Sequence, residues 1–217
     1  SFNGSTSQVT VADAASLDLT SGLTVEAWVK PSVAPTNWTS VISKDVDRYY
    51  LMASTSNQNL PGFGGTFGNA NQDLFGTATL PVGSWTHLAA TYDLAMIRLY
   101  RNGVQVASAA QTTTLSTSNA VLTMGADFYG EYFQGDLDEV RVYNRALSVS
   151  ELQSDMNTPV ENGVVQFSVR RDLPHGTVML SWIDSAVSGT YRVRRAAGPT
   201  PAAFSAATCW IVQGTTF

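Results

Sequence analysis

The chain has 217 residues, of which 13% are charged, a net charge of −5 and a single cysteine, Cys209. So acidic a chain lacks the basic surface that phosphate binding needs, which excludes nucleic acid as a partner, and one cysteine excludes an internal disulfide. Few charges with abundant Gly, Ser and Thr suit an all-β extracellular domain and not a helical bundle, and with no signal peptide, long apolar run or lipidation motif, membrane insertion is not expected.

Phe2-Asn3-Gly4 opens with a turn signal, and Gln8–Val11 reads as a short strand. Leu23–Pro31 alternates strictly: Leu23, Val25, Ala27 and Val29 share one face, and Thr24, Glu26, Trp28 and Lys30 the other. Pro31 ends the run because it has no N–H for a ladder. Two strands joined by Asp45-Val46-Asp47 are expected over 41–44 and 48–53, then short strands and long loops over 54–80. Asn102-Gly103 lies between two alternating runs, the signature of a two-residue type I′ hairpin. That turn sets Arg101 opposite Val104, Tyr100 opposite Gln105, Leu99 opposite Val106 and Arg98 opposite Ala107. Ile97, Leu99 and Val106 then form an apolar face, and Arg98, Tyr100 and Gln105 an amphiphilic one. Such a sheet is half of a sandwich. A further strand is expected over 121–125 and another over 136–144. Ser148 and Glu151 form a capping box that starts a short helix ending near Met156.

FNG at 2–4, LTVEAWVKP at 23–31, VGSWTHLAATYD at 82–93, RLYRNG at 98–103 and GDLDEVRVYNRALSVSEL at 135–152 follow one another in fixed order. Together they resemble the LamG-like jellyroll domain, a concanavalin A-like antiparallel β-sandwich of secreted bacterial multidomain proteins. The resemblance covers 1–157 and implies two curved antiparallel sheets with the first and last strands as neighbours. Residues 1–159 carry 7 basic and 14 acidic residues, and 160–217 carry 5 basic and 3 acidic. This change of charge sign marks 158–162 as a linker. Residues 163–217 resemble the opening strands of a fibronectin type III sandwich, with Trp182 and Tyr191 as core aromatics. They are too few for the roughly 90–100 residues of such a sandwich. The expected architecture is therefore a jelly roll followed by a short β segment of a second sandwich domain, within a larger chain.

Asp136 and Asp138 share a face but lead straight into Val140 and Val142, while Glu139 points away. A glycan-cleaving pair would have to flank its substrate about 5 Å apart, so hydrolysis is disfavoured and the isolated domain is not expected to be an enzyme. The resemblance implies a structural Ca²⁺ with Asp138 as side-chain ligand and carbonyls near Asn3, Asp18 and Gly22 as companions. Calcium's preference for hard oxygen ligands agrees with that set. The alternative for Asp138 is a turn cap. His87 and His175 fall in different domains, so His87 reads as a structural histidine and Cys209 as an inert thiol.

Aromatic residues placed in loops or at strand ends, Trp38, Tyr49, Tyr50, Phe63, Phe67, Tyr129 and Tyr132, offer rings on which sugars stack. Trp38, Tyr49 and Phe67 with Arg48 form the expected platform, and Arg98 with Tyr100 on the hairpin face an alternative one. Trp28 and Trp85 fall inside the resembling motifs and are assigned to the core. The function this implies is a non-catalytic carbohydrate-binding or adhesive module, lectin-like, secreted or at the cell surface, with an oligosaccharide or polysaccharide as partner. A ligand-free structural spacer is the alternative, and a glycan-cleaving enzyme of the same fold the third.

Overall fold

The structure is a computed structural model. It describes residues 1–160 and, after them, the backbone of four strands. In chain order the first unit contains β1 (Phe2–Asn3), β2 (Val9–Val11), β3 (Leu23–Pro31), β4 (Thr39–Lys44), β5 (Tyr49–Ser54), β6 (Gly62–Phe67), β7 (Ala70–Phe75), β8 (Thr86–Tyr92), β9 (Met96–Arg101), β10 (Val104–Ala110), β11 (Leu122–Met124), β12 (Gln134–Tyr143) and α1 (Val149–Asp155). The strands form two six-stranded antiparallel sheets, ordered β1-β12-β3-β8-β9-β10 and β2-β11-β4-β5-β6-β7. The first strand does lie beside the last.

Alternation explains the core. Leu23, Val25, Ala27 and Val29 are all 0% exposed and meet Val41, Leu51, Phe63 and Leu122 of the opposite sheet. Two inward apolar faces joined this way make the sandwich. The hairpin turns at Asn102-Gly103 with φ of +51° and +72°, as a type I′ turn requires. Asn102 is also pinned from outside: its Oδ1 accepts the His87 N–H at 2.9 Å, and its own N–H reaches the His87 carbonyl at 2.8 Å. The expected pairs Arg101–Val104 and Tyr100–Gln105 are present, but the next two are shifted. Leu99 faces Ala107 and Arg98 faces Ser108, because a bulge lies between Gln105 and Ala107. β10 ends its sheet, and an edge strand accommodates an extra residue most easily. The short strands expected over 54–80 are a regular hairpin, β6–β7.

α1 begins at the capping box: Ser148 Oγ accepts the Glu151 N–H, and the Glu151 carboxylate accepts the Ser148 N–H. The helix lies across the outer face of the first sheet, where Leu147 and Leu152 pack with Ala89 and Tyr100. That face therefore holds buried polar groups. Glu26 and His87 are 0% exposed, with His87 Nε2 3.6 Å from Glu26 Oε2 and Arg141 Nη1 3.5 Å from Glu26 Oε1. Burial, then the Asp155 carboxylate, push the Glu26 carboxyl up to about 8 against the pull of Arg141. Burial and Arg141 push the His87 imidazole down to about 4. His87 is structural and neutral, and neither of its ring nitrogens has a hydrogen-bond partner.

The chain divides into two units, Ser1–Pro159 and Val160–Phe217. In the second unit β13 (Gln166–Asp172) pairs with β14 (Thr177–Ile183), and β15 (Tyr191–Arg195) with β16 (Thr208–Val212), both antiparallel. The expected fibronectin-like core of Trp182 and Tyr191 side chains, with His175 and the Cys209 side chain, lies outside the described residues.

Candidate functional site

The outer face of the second sheet carries a polar aromatic groove. On β5, Tyr49, Leu51 and Ala53 point into the core, so Tyr50 and Met52 point out. Tyr50 faces Gly64, which faces Asp73. A Cβ on Gly64 would lie 2.5 Å from Tyr50 Cζ, so the missing side chain is what lets the ring lie flat across β6. The Tyr50 hydroxyl donates to Asp73 Oδ1, and the Trp38 ring stands edge-on to Tyr50 at 6.2 Å and 87°. From the other side comes the loop after β11. Asp127 Oδ1 caps it by accepting the Tyr129 and Glu131 N–H groups at 2.9 and 3.0 Å. The loop presents Tyr129, 56% exposed, and Phe128, 73% exposed. Tyr129 donates to Asp47 Oδ2 at 3.1 Å.

Of these, Trp38, Asp47, Tyr50, Met52, Asp73 and Tyr129, with Asn71 and Glu131, line a pocket of about 300 Å³. A second pocket of about 440 Å³, between the 33–39 and 130–134 segments, shares Trp38 and Glu131 with it. The two form one groove, with the buried Tyr50 as floor and Trp38 and Tyr129 as walls. Burial and a hydrogen bond donated to the Asp127 carboxylate hold the Glu131 carboxyl up to about 8, and burial also raises Asp47, with Asp127 and Asp73 adding to the effect. Burial and Asp73 keep the Tyr50 hydroxyl protonated far above its ordinary value. At neutral pH the groove thus offers aromatic surface, carboxylate acceptors and a protonated Glu131.

Of the expected platform only Trp38 stands in this groove. Tyr49 is 1% exposed and donates to the Leu17 carbonyl at 3.2 Å; Phe67 is 3% exposed and packs on the Tyr92 ring. Both belong to the core, and Tyr50 takes the role given to Tyr49. Arg48 is held by Asp45 at 3.6 Å and does not line the groove. Nor is the alternative platform open: Tyr100 is 3% exposed beneath α1, and Arg98 is paired with Asp93 at 2.7 Å. Trp28 and Trp85 are not core residues. Trp85 is 42% exposed, and both line a separate pocket of about 310 Å³ beside Asp138.

The expected calcium ligands do not form one coordination sphere. Asn3 pairs with Gln134 at one end of β12, and Gly22 sits against Asn144 just past the other end. Ten residues of strand separate these points by about 30 Å. Asn3 Oδ1 already accepts three backbone N–H groups, from Ser5, Thr6 and Ser7, so it faces positive dipoles and is poorly placed for a cation. Asp138 faces Trp28, and its Oδ1 accepts the Glu139 N–H at 2.9 Å, a capping role. Asp18 Oδ1 is buried without a hydrogen-bond partner. Among the described residues no three His, Cys, Asp or Glu side chains come together as a metal site.

The family profile described as the concanavalin A-like lectin/glucanases superfamily, Laminin_G_3, matches residues 3–153. The chain belongs to this superfamily. Domain 4 of AbnA, an extracellular GH43 arabinanase of Geobacillus stearothermophilus solved with arabinotriose, is 28% identical, with a TM-score of 0.57 over 70% of this chain and 73% of that one. A putative carbohydrate binding protein of Bacteroides ovatus shares the fold at 16% identity, with a TM-score of 0.59 over 86% and 61% of the two chains. An 81-residue stretch is 36% identical to pappalysin-1 of Mus musculus, covering 35% of this chain and 5% of that protein. Among the described residues no helix is long and apolar enough to cross a membrane.

Proposed function

We propose that residues 1–159 are a non-catalytic carbohydrate-binding module of a larger secreted or cell-surface protein, and that an oligosaccharide lies in the groove between Trp38 and Tyr129. The observation that carries this reading is the convergence of two accessible rings with Asp47, Asn71, Asp73 and Glu131 at one end of a rigid sandwich. Sugar rings present apolar C–H faces and polar edges, and a site of stacked aromatics with a few placed acceptors matches both. The 28% identity to an arabinanase domain solved with arabinotriose supports the same class of ligand. One carboxyl pair supports binding without cleavage. Glu131, the groove acid raised to about 8, shares a hydrogen bond with Asp127. Two carboxyl groups in direct contact cannot flank a glycosidic bond, which needs about 5–5.5 Å between them for retention and more for inversion.

A glycan array probed with the full 217-residue chain tests this. Binding to one or more oligosaccharides, weakened about two- to tenfold by Trp38→Ala, is expected, because a stacked ring is worth about 0.5–1.5 kcal/mol beyond its buried area. No binding across the array leaves the spacer reading, and shorter products from a bound glycan would make the chain an enzyme.

A further inference from the structure

The groove holds an unusual charge balance. Asp47, Asp73 and Glu131 line it and Asp127 stands behind, while no Lys, Arg or His is among the residues lining either half. The nearest basic side chain in sequence, Arg48, is occupied by Asp45. The protein's own acids register this shortage of positive charge: Glu131 and Asp47 are both held above their ordinary values by burial and by neighbouring carboxylates. A carboxylate on a ligand would meet the same environment. The faces of Trp38 and Tyr129 add to it, since the negative face of an aromatic ring repels anions and attracts cations.

We propose that this groove selects its glycan by charge, taking neutral or amine-bearing oligosaccharides and rejecting those that carry a carboxylate or sulfate. The inference rests on the carbohydrate-binding reading above and narrows it to a substrate class. Two like unit charges about 6 Å apart, at an effective dielectric constant of about 40, weaken binding about tenfold. The groove contains more than one acid, so about tenfold is a lower figure for each anionic group on the sugar.

The test uses the full chain and matched oligosaccharides: arabino-, galacto- and gluco-oligomers, glucosamine oligomers, and the galacturonate, glucuronate and sulfated counterparts. Affinities are measured at pH 7 in 50 mM and 500 mM NaCl. Expected is binding confined to neutral and amine-bearing members, with each anionic counterpart at least about tenfold weaker and the gap narrowing at high salt as the charges are screened. The double variant Asp47→Asn, Asp73→Asn should bring the ratio of neutral to anionic affinity down towards one, whatever affinity it loses for the neutral sugar itself. A merely structural role for the two acids would weaken all ligands alike and leave the ratio unchanged. Equal affinity for neutral and anionic counterparts overturns charge selection and leaves the site standing. No binding to any oligosaccharide overturns the site itself.

Discussion

Gly64→Ala is the substitution that most directly probes how the groove is built. Gly64 lies in β6 opposite Tyr50 and Asp73, outside the left-handed region, so alanine meets no backbone strain there. Its added methyl would stand 2.5 Å from Tyr50 Cζ and 2.6 Å from Asp73 Oδ1. Carbon contacts settle near 3.5–4 Å, so the ring must move by about 1 Å. That motion separates the Tyr50 hydroxyl from Asp73 and disturbs the edge contact with Trp38. Overpacking costs about 1–3 kcal/mol, and a hydrogen bond to a charged group contributes about 1.5–3 kcal/mol. Against these stands a gain of about 0.4–1 kcal/mol from the stiffer unfolded chain. A net loss of about 2–5 kcal/mol lowers the melting temperature of a domain this size by about 4–20 °C. The clean assay is a double-mutant cycle with Tyr50→Ala, read by calorimetric melting and by titration with a bound oligosaccharide. With the ring gone, Gly64→Ala should cost nothing or stabilise slightly. If it lowers the melting point equally in both backgrounds, the steric account of the groove floor is wrong.

Stability should fall as pH rises from about 4.5 to 8, most steeply above 6.5. Glu26 and Glu131 have folded values raised from 4.5 to about 8, so their contribution is fully present below 4.5 and lost by about pH 8, whereas His87, lowered from 6.5 to about 4, loses its contribution as pH falls from 6.5 toward 4 and so partly offsets the carboxyls only below 6.5. Glu26→Gln should flatten the alkaline slope in melting curves, and an unchanged slope would show that Glu26 is not held protonated. Gly103→Val should lower the melting temperature by at least about 5 °C, since φ is +72° and a Cβ there meets Gln153 Cγ at 2.8 Å and Met156 Sδ at 3.0 Å; an unchanged melt would contradict the docking of α1 on this turn. Melting curves with excess Ca²⁺ and with chelator should coincide, because Asn3, Asp18, Gly22 and Asp138 do not converge; a rise of several degrees with Ca²⁺ would reveal a site of other residues.

The sheets were legible where a local rule decides the structure. Leu23–Pro31 alternates without interruption, Asn102-Gly103 admits one tight turn, and Ser148 with Glu151 caps one helix. The groove was half legible. Period two along Tyr49-Tyr50-Leu51-Met52-Ala53 puts Tyr49 with the aliphatic face and Tyr50 with the other, so the parity of a single residue separates core from floor. The rest depends on distant segments. Asp47, Asn71 and Asp73 come from the consecutive strands β4 to β7, but Glu131 and Tyr129 join them only because the loop after β11 folds over that face. Tyr100 looked open on its hairpin because the helix that covers it arrives about fifty residues later. The bulge at Gln105–Ala107 leaves no signature in composition, and it displaced the two outer pairs of the expected register.

The central claim is that sugar enters the groove on the outer face of the second sheet. Its most direct measurement is an NMR titration of the ¹⁵N-labelled full chain with arabinotriose and with each oligosaccharide captured on the array, following the five tryptophan indole signals. The Trp38 indole should shift with saturating dependence on the sugar and move together with the Tyr129 and Glu131 amides, while Trp28 and Trp85 stay still. Shifts at Trp28 and Trp85 with Trp38 unmoved would place the ligand in the pocket beside Asp138 and contradict the account.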